Sequence, residues 1–263
     1  MTTKKSNVIK GSFQRKAIPI DLTRVLGIAQ REVSPGHVRR IAEAFDADKL
    51  GTITVNARDG VFYIMDGQHR VAAAKEAGYE DAMIDAHVYT DLTDEQMAET
   101  FLVLNANLPV SKMDKFQNQV TANYDAAVSI QRIAKSVGYK IRSGSGDGVI
   151  QCVAPLERIY ASGGSAALWS TLTTIRDAYG DSGMKAPLIQ GIGQVCAIYS
   201  QIIDHERLTE RLSSARGGMN GLLGAAQAAK LNYDIPLATA VSVAVVDLYN
   251  KGRGGKKLPN WAI

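Results

Sequence analysis

Cysteine is scarce in this sequence, which excludes a fold stabilised by disulfides. The 263 residues contain two cysteines, Cys152 and Cys196, and both lie in apolar segments. Their number and spacing fit neither a disulfide framework nor a zinc site. We therefore expect two reduced, buried thiols.

Long hydrophobic runs are also missing, so the sequence predicts no membrane span. The longest apolar stretch covers residues 235–246 and is closed by Asp247, whereas a transmembrane helix needs about 20 apolar residues. Residues 1–7 lack the apolar core of a signal peptide. We expect a cytoplasmic protein without a membrane partner.

The chain has no strong excess of charge of either sign. Lysine and arginine number 30 against 26 acidic residues, which gives a formal net charge of +4. This balance permits nucleic-acid binding without demanding it. Residues 1–16 and 251–263 contain basic residues and no acidic ones. We expect both ends to be flexible basic tails, with contact to DNA as the alternative role.

Hydrophobic periodicity divides the chain into a mixed part and a helical part. Residues 17–110 alternate strand-like and helix-like patterns, whereas residues 111–250 are almost purely helical, with Trp169 expected in the core. The predicted fold class is therefore α+β, a small mixed sheet followed by an all-α domain. Local signals in the mixed part are an edge strand at Ile18-Pro19-Ile20, helix starts at Ser34-Pro35 and Thr93, and a hairpin turn at Asp59-Gly60. Helices are predicted in the second part at about 155–162, 165–179, 187–213, 219–232 and 236–250.

The pentad Asp66-Gly67-Gln68-His69-Arg70 lies between a strand-like run and a helix-like run. A glycine at such a turn lets the backbone approach a ligand closely. The helix N-terminus that follows offers unpaired N–H groups and the positive end of a dipole, which favour a phosphate. Asp66, His69 and Arg70 add a carboxylate, an imidazole and a permanent positive charge next to this helix N-terminus.

A purely structural interpretation of the pentad stays open beside the functional one. Asp66 would cap the helix, Arg70 would pair with Asp66 or be solvated, and His69 would pack against the sheet. Other histidines stand alone in the sequence and carry no predicted site: His37, His87 and His205.

Residues 17 to about 117 resemble the ParB/sulfiredoxin superfamily, and specifically its DGQHR-motif branch. That branch resembles DndB-type proteins of DNA phosphorothioation systems and ParB-like phage proteins. The pentad stands in the expected order with other matching segments, which are Ile18-Pro19-Ile20, Gln30-Arg31, Leu50-Gly51, Arg58-Asp59-Gly60 and an Asn-containing stretch at Asn105.

This resemblance implies an N-terminal nucleotide-binding domain at residues 17–110. The pentad would bind the phosphates of ATP or CTP through Gly67, Gln68 and Arg70, while Asp66 and His69 would be catalytic. The resemblance also implies that Gln30, Arg31 and Asn105 contact the nucleotide. It makes Asp66 a candidate ligand for Mg²⁺.

Two departures from the family patterns reduce the number of reactions that the resemblance implies. Sulfiredoxins have a catalytic cysteine at the position of Gln68, so sulfiredoxin chemistry is excluded. ParB proteins carry an Asn within a Glu-Asn-x-Gln-Arg box. Asn105 matches that Asn, but Leu104 replaces the Glu and Asn107-Leu108 replaces the Gln-Arg pair. This argues against metal-dependent CTP switching of the ParB kind.

The function predicted from the resemblance is an NTPase that acts on or near DNA, in DNA modification, restriction or phage DNA metabolism. Its partners would be a nucleotide, DNA bound through basic surface and tails, and other copies of the chain. Two alternatives remain. One is a DNA-binding regulator without catalysis, and the other is a phosphotransferase that acts on a small hydroxyl or nucleoside substrate.

Overall fold

The computed structural model describes residues 13–26, 33–46, 49–105, 111–252 and 256–261. The chain divides into two compact units, Met1–Tyr124 and Asp125–Ile263. A mixed sheet with helices forms the first unit and helices dominate the second, which confirms the predicted α+β class. The domain limits inferred from hydrophobic periodicity stay a prediction.

A five-stranded mixed sheet organises the first unit, in the order β1-β5-β3-β4-β2. Strands β3 and β4 form an antiparallel hairpin, β1 pairs antiparallel with β5, and the pairs β3–β5 and β2–β4 are parallel. The proline-containing strand β1 lies at an edge, as its sequence predicts. The strands are β1 (Gln14–Pro19), β2 (Thr23–Val25), β3 (Ile53–Arg58), β4 (Val61–Asp66) and β5 (Met83–Thr90).

Four α-helices accompany this sheet among the described residues of the unit, and two separate apolar clusters bury its strands. Val71 and Ala74 pack on a cluster of strand residues such as Ile53 and Ile64. Met65 forms a second cluster with Leu92 and Met97. The helices are α1 (Pro35–Glu43), α2 (Gln68–Glu76), α3 (Asp94–Leu104) and α4 (Lys112–Thr121).

Local signals in the sequence explain where several of these elements begin. Helix α1 has Ser34 as its N-cap and a proline in its first turn. The turn between β3 and β4 has positive φ at Asp59 (54°) and Gly60 (77°), which matches a tight hairpin turn. Thr93 and Gln96 form a reciprocal capping box at the start of α3. These three predictions are confirmed.

The second unit contains six α-helices, a short 3-10 helix (Gly180–Gly183) and a two-stranded parallel sheet among its described residues. The helix predicted over residues 187–213 is wrong, because the chain breaks after Tyr199 and restarts at Asp204, whose side chain caps the next helix through the amide of Arg207. Gly164 (φ 68°, ψ −165°) kinks the longest helix. The elements are α5 (Asp125–Ser136), β6 (Lys140–Ile141), β7 (Val149–Ile150), α6 (Ala154–Tyr179), α7 (Ala186–Ile198), α8 (His205–Ser213), α9 (Gly218–Tyr233) and α10 (Leu237–Asn250).

Both cysteines are free thiols in the second unit. Burial raises the pKa of Cys152 to about 11 and that of Cys196 to about 12. Such thiols stay protonated near neutral pH and are poor nucleophiles.

Within the described part of the chain, no single helix is both long and apolar enough to cross a membrane. Helices α9 and α10 meet that requirement only as a pair, which is bent by 115°.

Candidate functional site

The turn from β4 into α2 depends on Gly67. This residue is the N-cap of α2 and has φ 104° and ψ 11°, a left-handed conformation that favours glycine. A Cβ atom at this position would lie 2.5 Å from Cγ2 of Ile53. The register between β3 and β4 shifts at Thr54/Val55, beside Asp66, and bulges of this kind often accompany functional sites.

Asp66 does not cap α2, so the predicted cap is wrong. The residue is the last of β4, and its Oδ2 accepts a hydrogen bond of 2.8 Å from Nη2 of Arg70. The cause is the left-handed turn, which makes Gly67 rather than Asp66 the residue before the first helical turn. The ion pair lies one helical turn apart, at i and i+4.

The guanidinium of Arg70 is held in place by the backbone as well as by Asp66. Its Nη1 donates to the carbonyl oxygens of Leu50 (3.3 Å) and Thr52 (2.9 Å). Three of the five N–H donors of an arginine are used in this way. The side chain is 29% exposed, so the guanidinium is not sealed from solvent.

His69 joins the N-termini of two helices. Its Nε2 accepts a hydrogen bond of 3.1 Å from the backbone N–H of Ser34, the N-cap of α1. An imidazole nitrogen that accepts is unprotonated, so in the neutral ring the proton is on Nδ1. The ring of His37, in the first turn of α1, lies edge-on to the ring of His69 at a centroid distance of 5.1 Å.

A cavity of about 290 Å³ opens between these helix N-termini and the end of α3. Asn105 is buried and ends α3, where its Nδ2 donates to the carbonyl of Phe101 at 2.9 Å. The lining residues are His37, Ile41, Met65, Asp66, Gly67, Gln68, His69, Arg70, Phe101 and Asn105. We call this cavity the pentad pocket. Its wall combines backbone donors, a guanidinium and two imidazoles, which is a suitable environment for an anion.

The pocket brings together six of the eight residues predicted for the site. These are the five residues of the pentad and Asn105. Gln30 and Arg31 lie outside the described residues. The roles assigned to all eight stay predictions. His37 and Phe101 were missed, although His37 follows the Ser34-Pro35 helix start by two residues and the first turn of a helix is where an anion site forms.

The pentad pocket contains few side chains that could bind a metal ion. In the described ranges, no three His, Cys, Asp or Glu side chains are grouped as they would be in a metal site. Asp66 is the one carboxylate among the lining residues of the pocket, and its Oδ2 is engaged by Arg70. Magnesium commonly binds one or two carboxylates together with substrate phosphates and water. Asp66, through Oδ1, is the residue of the pocket that would contribute a carboxylate to such an ion.

Comparisons with known proteins identify a family and a structural neighbour. Solved structures that are similar to the chain include the C-terminally truncated chromosome-partitioning protein ParB from Caulobacter crescentus complexed with CTP-gamma-S. The two share 18% identity with a TM-score of 0.32, over 70% of this chain and 97% of that one. No curated protein matches the sequence. A family model described as a family of unknown function, DUF6551, matches residues 26–235. The chain belongs to this family.

Proposed function

We propose that the pentad pocket binds the phosphate groups of a nucleoside triphosphate, and that the chain is a ParB-like, DGQHR-type nucleotide-binding protein that acts on or near DNA. One observation carries the proposal. The first turns of α1 and α2 meet at a single cavity, where the backbone at Gly67 has no Cβ and Arg70 adds a fixed positive charge.

Electrostatics favour an anion at this place. Each helix N-terminus carries roughly half a positive charge, and the first turns of α1 (His37) and α2 (Gln68, His69 and Arg70) both contribute residues to one cavity. The guanidinium of Arg70 has the geometry to bind two oxygens of a phosphate at once. Its bonds to the carbonyls of Leu50 and Thr52 fix the orientation of the group before a ligand arrives.

The size of the cavity supports phosphates rather than a whole nucleotide. Its volume of about 290 Å³ is at the lower limit of the roughly 300–1,000 Å³ typical of small-molecule sites. A neighbouring cavity of about 810 Å³ shares Ile41 and Arg70 with it and is also lined by Phe45. We infer that the nucleoside part of the ligand extends from the pentad pocket toward this second cavity.

The proposal includes hydrolysis of the bound nucleotide. Asp66 and His69 are the side chains that would position an attacking water. Each also has a structural bond in the protein, Asp66 to Arg70 and His69 to the amide of Ser34. These bonds favour a second candidate function, a DNA-associated regulator that senses a nucleotide without turning it over.

A thermal-shift series with ATP, CTP and GTP, with and without Mg²⁺, tests nucleotide binding. A bound nucleotide at a hundredfold excess over its Kd should stabilise the wild-type protein by about 2.7 kcal/mol. Arg70→Lys keeps the charge but loses the planar fork, so we expect that stabilisation to be lost. Phosphate release, measured on the same samples, separates turnover from sensing.

Arg58→Lys is the matched control, because Arg58 also pairs with an aspartate, Asp94 at 3.1 Å, but lies outside the pentad pocket. It should keep the nucleotide response of the wild type. The proposal fails if no nucleotide stabilises the wild type, or if Arg70→Lys responds as strongly as Arg58→Lys.

Binding of duplex DNA is tested by fluorescence anisotropy over a range of salt concentrations. The logarithm of the binding constant should fall linearly with the logarithm of salt, by about 0.9 for each phosphate neutralised. Residues 1–12 contain Lys4, Lys5 and Lys10. Deleting residues 1–12 should therefore lower the steepness of the plot of log binding constant against log salt by up to about 2.7. Binding that does not depend on salt, or no binding at all, would remove DNA from the proposal.

A further inference from the structure

A second cavity, of about 480 Å³, lies between helices α6 and α8 of the second unit. One stripe of each helix lines it, with residues spaced by three or four positions, as expected for a groove between packed helices. The lining residues are Trp169, Ser170, Thr173, Thr174, Asp177, His205, Glu206, Thr209, Glu210 and Ser213. We call this cavity the α6–α8 groove.

Helix α8 separates its charges between two sides. Glu206 and Glu210 line the groove. Arg207 instead donates from Nη2 to the carbonyl of Tyr249 at 3.1 Å, and a Cβ built on Gly252 would lie 3.1 Å from Nη2 of Arg211. The arginines of α8 are thus directed toward the end of α10, and the glutamates toward the groove.

The groove therefore has a negative lining. Asp177 also lines it, but its carboxylate is ion-paired at 2.7 Å with Nε of the adjacent Arg176, so the uncompensated negative charge is that of Glu206 and Glu210. No lysine or arginine is among the lining residues that the structure describes. Carboxylates that share a concave site focus their field and attract a cation.

Two polar atoms of the lining residues are buried and lack partners. Oγ1 of Thr173 and Nδ1 of His205 are shielded from solvent, and neither has a hydrogen-bond partner in the described part of the protein. Burial lowers the pKa of His205, against the opposing effect of Asp204, so the ring is neutral near pH 7 and adds no positive charge. Buried polar atoms of this kind are normally bonded, and both of these belong to residues that line the groove.

Trp169 supplies an aromatic surface at the same groove. The side chain lines the cavity and is 51% exposed, although it was predicted to be in the core. An accessible indole face attracts ammonium and guanidinium groups through the charge distribution of its ring. Its position in the same groove as the carboxylates of Glu206 and Glu210 makes the attraction to a cation stronger than either element would provide alone.

We propose that the α6–α8 groove binds an organic cation that carries N–H donors, an alkylammonium or a guanidinium group. The carboxylates of Glu206 and Glu210 accept its hydrogen bonds and the indole of Trp169 covers its apolar or planar part. The same head group occurs in free amines and in lysine or arginine side chains. A solvated acidic helix face is the competing explanation, and it predicts no saturable binding.

Fluorescence of Trp169 reports binding directly when the other tryptophan is removed by Trp261→Phe. Titration with spermidine, agmatine or tetralysine should give a saturable change, whereas tetramethylammonium, which has no N–H donor, should bind at least about tenfold more weakly. Tighter binding of tetralysine than of the free amines would assign the groove to a peptide side chain. The reverse order would assign it to a small amine. All titrations are run at matched ionic strength with NaCl.

The double variant Glu206→Gln/Glu210→Gln should weaken binding at least about tenfold, with an unchanged helical circular dichroism spectrum because both side chains are exposed. Glu157→Gln, an exposed position of α6 that does not line the groove, is the matched control and should bind as the wild type does. Absence of a saturable signal, equal responses to every cation, or equal weakening by the control would each overturn the proposal.

Discussion

Replacing Gly67 by alanine should destabilise the protein by about 3 kcal/mol, through steric conflict and backbone strain together. A Cβ atom would lie 2.5 Å from Ile53, a residue buried in the sheet, and 3.2 Å from Nη2 of Arg70. The φ of 104° adds strain for any residue that has a side chain. The free energy of unfolding measured in urea gives the magnitude.

Gly36→Ala is the control for Gly67→Ala. A Cβ at Gly36 would meet no described atom within 4 Å, and the residue lies in the first turn of α1, where alanine suits a helix better than glycine does. This variant should be neutral or slightly stabilising. A loss below about 1 kcal/mol for Gly67→Ala would show that the turn relaxes more easily than the packing of Ile53 suggests.

Replacing Asn56 by leucine should cost about 3 kcal/mol, because it leaves two buried backbone groups without partners. Asn56 is fully buried in β3. Its Nδ2 donates to the carbonyl of Leu92 at 3.1 Å, and its Oδ1 accepts from the N–H of Leu92 at 3.0 Å. Leucine has nearly the same size but can form neither bond. Thermal and urea unfolding measure the loss.

Asn220→Leu provides the comparison for Asn56→Leu, since Asn220 is an exposed residue of α9. The free energy of unfolding of Asn220→Leu should stay within about 0.5 kcal/mol of that of the wild type. Similar losses for both variants would mean that the substitution acts through solubility or the unfolded chain rather than through the bonds to Leu92.

Features set by neighbouring residues could be predicted from the sequence. The turn at Asp59-Gly60 and the capping box of Thr93 and Gln96 each depend on a few consecutive side chains. The pentad was located between a strand and a helix for the same reason. Its cap was wrong because Gly67 adopts a left-handed conformation and is itself the N-cap, and the residue that leaves no room for a side chain there, Ile53, comes from another strand.

Contacts between distant segments could not be predicted in the same way. His37 stood alone in the sequence, yet its ring meets that of His69. Asn56 and Leu92 are separated by 36 positions, and no periodic pattern links them. Tryptophan is a residue type that is usually largely buried. That about half of the surface of Trp169 is exposed depends on how α6 packs against α8.

Helix α3 begins beside Leu92, which Asn56 holds to the sheet, and ends at Phe101 and Asn105 in the wall of the pentad pocket. Its eleven residues span roughly 16 Å. Hydrogen bonds fix the start of the helix, and Met97, Ala98 and Phe101 are buried along its length. Met97 packs against Met65, which itself lines the pentad pocket. The pocket wall that α3 supplies is therefore held by the same packing that covers this face of the sheet, and a substitution that loosens that packing should change the shape of the pocket as well as the stability of the fold.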